Sequence, residues 1–331
     1  MKSIPRLRFA HLPTAVEPMA RLSAALGGPQ LWVKRDDQTG LALGGNKTRK
    51  LEFLVAEAQA HGARTLVTAG AVQSNHCRQT AAAAARYGLG CILVLYSPFA
   101  GEDVTQTPPA VSGNLLLDQL FGAQIVWTKR SERDQSLQAA FQAAWDAGQR
   151  PYLIPYGGSS PTGAAGYAVA MQELAEQGIQ PDWIVFPSSS GGTHAGLALG
   201  ARLFNLPAKV LGISVDEELD VLKTRVARLA TDTADLLGEP QTFTPDDILA
   251  NVDYLGGGYG VLGAAEREAV ELFARTEGLL LDPVYTGRAA AGLIGLVRSG
   301  FFERGEVVLF WHTGGSPALF ADKYRELARP A

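Results

Sequence analysis

Cysteine is scarce in this chain: Cys77 and Cys91 are the only two among 331 residues. They fall inside what read as a helix and a strand, so the sequence predicts two buried thiols, no disulfide framework and a reduced compartment. Long hydrophobic runs are missing too, and nothing approaches the roughly 18–20 apolar residues of a membrane span. The N-terminal MKSIPRLRFAHLPT is basic but lacks the apolar core of a signal peptide. A soluble, cytoplasmic protein without a membrane partner is expected.

Neither sign of charge dominates. The 29 basic and 33 acidic residues are interspersed and sum to −4, which leaves no electrostatic footprint for a nucleic acid and favours a small-molecule partner. The five histidines, His11, His61, His76, His194 and His312, show no metal-ligand spacing, so no metal is expected. A Walker loop ending in Gly-Lys-Ser/Thr and the dinucleotide pattern G-x-G-x-x-G are both absent, which argues against an ATPase or a nucleotide-binding oxidoreductase.

What is present suits an α/β protein. A hydrophobic content of 47% suffices for the cores of roughly two domains. Short β-rich runs recur at 31–36, 65–71, 91–96, 124–128, 151–155, 183–188, 209–215 and 306–312, separated by amphipathic or alanine-rich stretches. That alternation is the pattern of a parallel sheet covered by helices. Leu51, Leu54, Val55 and Ala58 stand at i, i+3, i+4, i+7 in a helix predicted over 46–61, with Gly62 as its terminator. Helices near 75–87, closed by Gly88, and 192–204 each begin after a strand and a polar loop, so their N-termini are expected at one sheet edge. The Pro- and Gly-rich 97–113 reads as a loop and 157–163 as a hinge or turn. The strands from about 65 to 155 read as a smaller sheet inserted into a larger one.

Lys47, in Gly-Gly-Asn-Lys-Thr-Arg-Lys, is a candidate nucleophile, because the glycines permit a tight path at the helix start. Schiff-base chemistry needs an amine that is neutral part of the time, and a neighbouring charge such as Arg49 or Lys50 favours that form. Gln73, Ser74, Asn75 and His76 open the next helix with exposed N–H groups suited to an amino-acid carboxylate. An ordinary N-cap accounts for Ser74 or Asn75 equally well. Ser188-Ser189-Ser190-Gly191-Gly192-Thr193-His194, between a strand and a helix, reads as an anion site. Tyr259 in Gly-Gly-Gly-Tyr-Gly and Tyr285 in Asp-Pro-Val-Tyr-Thr hold phenols between rigid or tight neighbours, placed to stack on a ring or pass a proton. Thr313 offers a hydroxyl at the C-terminal end of the last strand.

Taken together, WVKRDD, GGNKTRKLEF, TAGAVQSNHCRQTAA, GGSSPTGAAGY, GGTHAGL, GGGYG, LLLDPVYTG and LFWHTGG span nearly the whole chain. In that order they resemble the fold-type II pyridoxal-phosphate family of D-cysteine desulfhydrases and 1-aminocyclopropane-1-carboxylate deaminases. The resemblance implies two open, parallel, twisted sheets flanked by helices, in the manner of the tryptophan synthase β chain. It implies a large domain of residues 1–47 and 161–331, a small domain of 48–160 closing over the cleft, and a homodimer.

Lys47 would then carry pyridoxal 5′-phosphate, Asn75 would bond the ring's phenolic oxygen, and Ser190, Gly191, Gly192 and Thr193 would hold the phosphate. Ser74, Tyr259 and Tyr285 would surround a small amino-acid substrate, with Gln73 and His76 beside its carboxylate. Thr286 or Thr313 would meet the pyridine nitrogen. The implied reaction is β-elimination, in which the freed Lys47 takes the α-proton, a thiolate departs, and pyruvate and ammonia follow by hydrolysis. Ring-opening deaminases carry Glu after the tyrosine of their DPVY motif, whereas Thr286 stands there in this sequence. That difference favours a D-cysteine desulfhydrase, with the deaminase and an L-cysteate sulfo-lyase as alternatives. A non-catalytic ligand-binding protein is the remaining alternative, and retention of Lys47 argues against it.

Overall fold

Strands alternate with helices because short aliphatic runs buried on both faces are followed by segments of helical period. The computed structural model describes residues 1–99 and 101–328. In chain order the elements are β1 (Val16–Pro18), α1 (Ala20–Leu26), β2 (Gln30–Lys34), α2 (Asn46–Ala60), β3 (Thr65–Ala71), α3 (Asn75–Arg86) and β4 (Gly90–Tyr96). There follow α4 (Gly113–Leu120), β5 (Gln124–Trp127), α5 (Arg133–Asp146), β6 (Pro151–Leu153), α6 (Pro161–Glu176), β7 (Trp183–Ser188), α7 (Gly192–Leu203) and β8 (Lys209–Ser214). The chain continues through α8 (Leu219–Leu236), β9 (Leu249–Asn251), α9 (Ala264–Glu277), α10 (Thr286–Arg298) and β10 (Val307–Trp311). No helix among the described residues is long and apolar enough to cross a membrane.

The strands form two sheets. One has six strands in the order β1-β2-β10-β7-β8-β9, and the other four in the order β5-β4-β3-β6. Only β1 runs antiparallel to its neighbour, along the edge of the larger sheet. Helices cover both faces of each sheet. On the larger one, Val33, Val185, Ile213 and Phe310 pack under α1, α9 and α10, while Phe186, Leu309 and Trp311 pack under α6 and α7. On the smaller one, Leu66, Leu93 and Leu95 face α2, α3 and α4, and Val67 and Val94 face α5. Burial at every position of β3 and β7 follows from this double covering.

All eight predicted strands are present, along with the three predicted helices. Gly62 ends α2 in a left-handed conformation, with its N–H donating to Gln59 O and that of Ala63 to Ala58 O, and Gly88 closes α3 in the same way. Other expectations need correction. β2 stops at Lys34, because Asp36–Gln38 turns into a 3₁₀ segment. The stretch 157–163 is a turn only in its first part; from Pro161 it is helix, since Ser160 accepts from Gly163 N and proline occupies the first turn of α6. The predicted loop holds through Ser112, residue 100 lying outside the described residues, and Gly113 already opens α4. The edge strands β1 and β9 are not read from the sequence, and β6 ends at Leu153 rather than at residue 155.

The helix N-termini do not gather at one sheet edge. α3 follows a strand of the smaller sheet and α7 a strand of the larger, so their starts meet across the cleft between the sheets.

Candidate active site

Close helix packing brings the cleft together. A Cβ on Gly166 of α6 would stand 2.6 Å from Arg49 O of α2, and one on Gly200 of α7 would stand 2.5 Å from the Met171 side chain of α6. The small residues thus let α2, α6 and α7 approach closely, which carries the start of α2 toward the start of α7. Gly45, at φ +125, completes the approach: a Cβ there would meet Gln79 Nε2 at 2.5 Å and Thr313 O at 3.1 Å. The Asn46 N–H donates to Thr313 O at 2.9 Å, which ties the end of β10 to the first turn of α2.

A buried ion network sets the rotation of α2. Arg49 Nη2 lies 2.8 Å from Asp36 Oδ1 and 2.9 Å from Glu173 Oε1, and Lys34 Nζ lies 2.6 Å from the same glutamate oxygen. Tyr167 donates its hydroxyl to Asp36 Oδ2 at 2.6 Å. Arg49 is therefore turned away from Lys47, and the contact with Lys50 opposes the neutral amine rather than favouring it, so burial alone supplies the expected effect.

Lys47, one position after Asn46, projects into the cavity. Its Nζ donates to Gly157 O at 3.1 Å, and Lys50 Nζ donates to the same carbonyl at 3.2 Å. Burial without a carboxylate partner pushes the Lys47 amine down to about 8, against the smaller opposing effects of its contact with Lys50 and of Cys77. Burial, then the charge of Lys47, drives Lys50 well below the usual lysine value. Two closely spaced amines with no counter-ion are a ready receptor for an anionic group.

The loop from Ser188 to Thr193 faces these amines. Gly191 adopts φ +90 as the N-cap of α7, a conformation that favours glycine and turns the loop into the helix. Ser190 Oγ lies 2.8 Å from Ser159 Oγ, the Gly192 N–H donates to Ser159 Oγ at 3.0 Å, and Asn46 Nδ2 donates to Thr193 Oγ1 at 3.0 Å. Lys50 Nζ stands 2.8 Å from where a Cβ on Gly192 would be. The start of α7, its N–H groups and a lysine together suit a phosphate.

Across the cavity, Ser74 caps α3 by accepting from Cys77 N at 3.2 Å. Asn75 Oδ1 accepts from Asn114 Nδ2 at 3.0 Å and from Arg78 Nη1 at 3.3 Å, which leaves Nδ2 as the donor available to the cavity. His76 lines the same wall. Thr68 donates its hydroxyl to Ile154 O, so the 3.0 Å contact between Thr68 Oγ1 and His76 Nε2 assigns the proton of that contact to His76. Burial keeps its imidazole well below the usual value, with Lys47 and Lys50 adding to the effect.

Tyr285 and Thr313 complete the lining. Tyr259 stands behind Tyr285, their hydroxyls 2.7 Å apart, and burial holds both phenols well above the usual value. Besides Tyr259, three predicted residues lie off the lining. Gln73 accepts from Asn114 N at 2.8 Å and donates to Ser112 O at 3.0 Å, so its amide fastens α4. The Thr286 hydroxyl donates to Asp282 Oδ1 and accepts from Asp282 N, both at 2.8 Å, which leaves no proton for a ring nitrogen. Gly192 contributes its backbone from beneath the loop.

Sequence reasoning missed Asn46, Tyr156 and Gly157 as lining residues, and took Lys50 only as a neighbouring charge. The i, i+3 spacing of Lys47 and Lys50 was a usable signal, because residues so spaced share a helix face. The Gly157 carbonyl left none, since nothing in the residue types shows which backbone oxygen a distant fold will present.

The residues fit pyridoxal phosphate: an uncompensated amine for the aldehyde, a helix-start loop with a lysine for the phosphate, and a free amide donor opposite. Residues 7–314 match the family described as pyridoxal-phosphate dependent enzyme. The chain is 45% identical over 323 residues to a D-cysteine desulfhydrase of Salmonella typhimurium, covering 96% of each chain. It also resembles the crystal structure of an ACC deaminase homologue, with a TM-score of 0.88 and 36% identity, covering 98% of this chain and 97% of that one. A pyridoxal 5′-phosphate-dependent aspartate racemase, at a TM-score of 0.64, 18% identity and 91% and 90% coverage, shares the fold. The match over most of the chain and the geometry of the cleft lead to one conclusion: the chain belongs to the pyridoxal-phosphate dependent enzyme family, and pyridoxal 5′-phosphate is its cofactor.

Proposed function

We propose that the protein is a β-eliminating lyase that converts D-cysteine and water to pyruvate, hydrogen sulfide and ammonia. The observation that carries the reading is the pairing of two site features: a lysine amine lowered to about 8 and, on the same cavity, the Tyr285 hydroxyl with that of Tyr259 behind it. The likeness to the Salmonella D-cysteine desulfhydrase supports the choice of substrate.

When bound, the cofactor supplies an electron sink for the carbon that loses its proton. Lys47 holds the cofactor at rest and, once freed by the substrate amine, takes the α-proton at Nζ. An amine whose pKa lies near neutrality suits a base that must be both free and regenerable. Asn75 donates to the phenolic oxygen from Nδ2. Ser190, Gly191 and Thr193 would hold the phosphate, with Gly192 supporting the loop and Lys50 and Asn46 adding an amine and an amide. Thr313, which lines the cavity, would meet the ring nitrogen, the Thr286 hydroxyl being engaged with Asp282. Ser74, Asn75 and His76 receive the substrate carboxylate at the start of α3. Tyr285 protonates the departing sulfur, and Tyr259 orients its hydroxyl.

The same reading makes residues 1–47 and 161–331 the large domain and 48–160 a small one that closes over the cleft. The division of strands between the two sheets supports it, since β3 to β6 form the smaller sheet. Buried, unpaired Cys77 and Cys91 support a cytoplasmic setting, and the family resemblance supports a homodimer.

The ACC deaminase homologue supports ring opening of 1-aminocyclopropane-1-carboxylate as a second reading. One assay separates the two. Cofactor-loaded protein is given D-cysteine, L-cysteine, L-cysteate or the cyclopropane amino acid, and sulfide, sulfite and keto-acid release are followed. Preferred release of sulfide and pyruvate from D-cysteine is the expected result, and preference for any other substrate overturns the reading.

A further inference from the structure

Arg78 is wholly buried, yet none of its hydrogen bonds goes to a carboxylate. Its Nη1 donates to Asn75 Oδ1 at 3.3 Å and to Asn114 Oδ1 at 3.1 Å, and its Nη2 to Gly44 O at 2.8 Å. All of these acceptors are neutral. Burial lowers the guanidinium only to about 10, so it stays charged at neutral pH.

Two acids act on Arg78 without pairing with it. Asp118 of α4 is fully buried, and neither of its carboxylate oxygens accepts a hydrogen bond among the described residues. Burial holds its carboxyl well above the usual range, which favours the neutral acid. Asp282 directs its oxygens to the N–H groups of Val284, Tyr285 and Thr286 and to the Thr286 hydroxyl, at the start of α10. Of the other titratable neighbours of the cavity, burial raises the carboxyl of Asp216, which acts on Tyr156 and Tyr285, and it keeps Tyr156 protonated and His194 neutral. Burial drives Lys50 and His76 toward their neutral forms and keeps Cys77 and Tyr285 protonated.

The Arg78 charge reaches the cavity through Asn75. A carbonyl oxygen that accepts from a cation is polarised, and the N–H groups of the same amide become stronger donors. Asn75 is so placed: it lines the cavity, Oδ1 takes the bonds from Arg78 and Asn114, and Nδ2 is its remaining polar group, packed near Gly315 and the Asp282 side chain.

We propose that Arg78 is a positioning residue that, through Asn75, brings a buried positive charge to bear on the cofactor's phenolic oxygen and lowers the pH at which the Lys47-linked chromophore loses its proton. The proposal rests on the roles given above to Lys47 and Asn75. A positive charge nearby disfavours the protonated, cationic form of that linkage.

The test is the visible absorption of purified, cofactor-loaded protein titrated with pH, with no substrate present. Arg78→Gln is expected to raise the midpoint by about one pH unit, and Arg78→Lys to return it part of the way toward wild type. A loaded, folded Arg78→Gln protein with the wild-type midpoint overturns the proposal. So does a wild-type band that keeps its proton up to about pH 10, the top of the titration. If Arg78→Gln does not fold, Asn75→Ala reads the same relay: an upward shift supports it, and an unchanged midpoint overturns it. A wild-type protein that takes up cofactor but develops no lysine-linked band instead sinks the assignment of Lys47, and the proposal with it.

Discussion

The phenol oxygens of Tyr259 and Tyr285 lie 2.7 Å apart, yet only Tyr285 lines the cavity that Lys47 enters. One hydroxyl is thus placed to meet a leaving group and the other to orient it. Tyr285→Phe should lower kcat for D-cysteine by about 10²- to 10⁴-fold, the usual scale for a general acid. Tyr259→Phe, which removes only the orienting partner, should cost clearly less. Steady-state pyruvate release from both variants decides the matter; equal losses would mean that neither phenol is the acid.

Lys47→Ala should give a folded protein with no lysine-bound chromophore and turnover reduced roughly 10³-fold or more. The visible spectrum and the circular dichroism of the same preparation check chromophore and fold together. Turnover that survived this change would remove Lys47 from the mechanism.

Cofactor uptake should depend on pH through the Lys47 amine. Burial disfavours the charged form and brings its pKa down to about 8, and only the neutral amine condenses with an aldehyde. The rate of chromophore formation on cofactor-free protein should rise between about pH 7 and 9 and level off above that. An ordinary lysine would still be gaining rate near pH 10, and that result would show that the amine is not lowered in solution.

Gly192→Ala introduces a Cβ 2.6 Å from Ser159 Oγ and 2.8 Å from Lys50 Nζ. Overpacking of this kind typically costs about 1–3 kcal/mol, so cofactor affinity should fall by about tenfold or more. Titration of the cofactor-free variant, followed by fluorescence or absorbance, gives the ratio of dissociation constants.

Arg49→Leu leaves Asp36 and Glu173 without their arginine inside a buried network. Breaking a buried pair from one side costs about 3–5 kcal/mol. A matching fall in the denaturation midpoint is expected, together with weaker cofactor binding, because α2 loses the contact that sets its rotation. Unchanged stability would show that the network relaxes without Arg49.

The sequence by itself determined the α/β class, eight of the strands and the three helices that begin at the site, because hydrophobic period and glycine terminators act over a few residues. It also marked Lys47, the loop from Ser188 to Thr193 and the tyrosine pair, each identifiable from a short run of residue types. Tertiary structure alone decided how these runs face one another. Gln73 and Thr286 read as site residues in one dimension, yet Gln73 directs its amide to the distant backbone of Ser112 and Asn114, and Thr286 its hydroxyl to the nearby Asp282. Arg49 read as a neighbour of Lys47, but α2 turns it into the network with Asp36 and Glu173. The Gly157 carbonyl, which receives both lysines, and Arg78 beneath Asn75 were visible only in the fold. Local pattern sets which way a segment bends; which atoms of distant segments meet depends on packing that no single segment encodes.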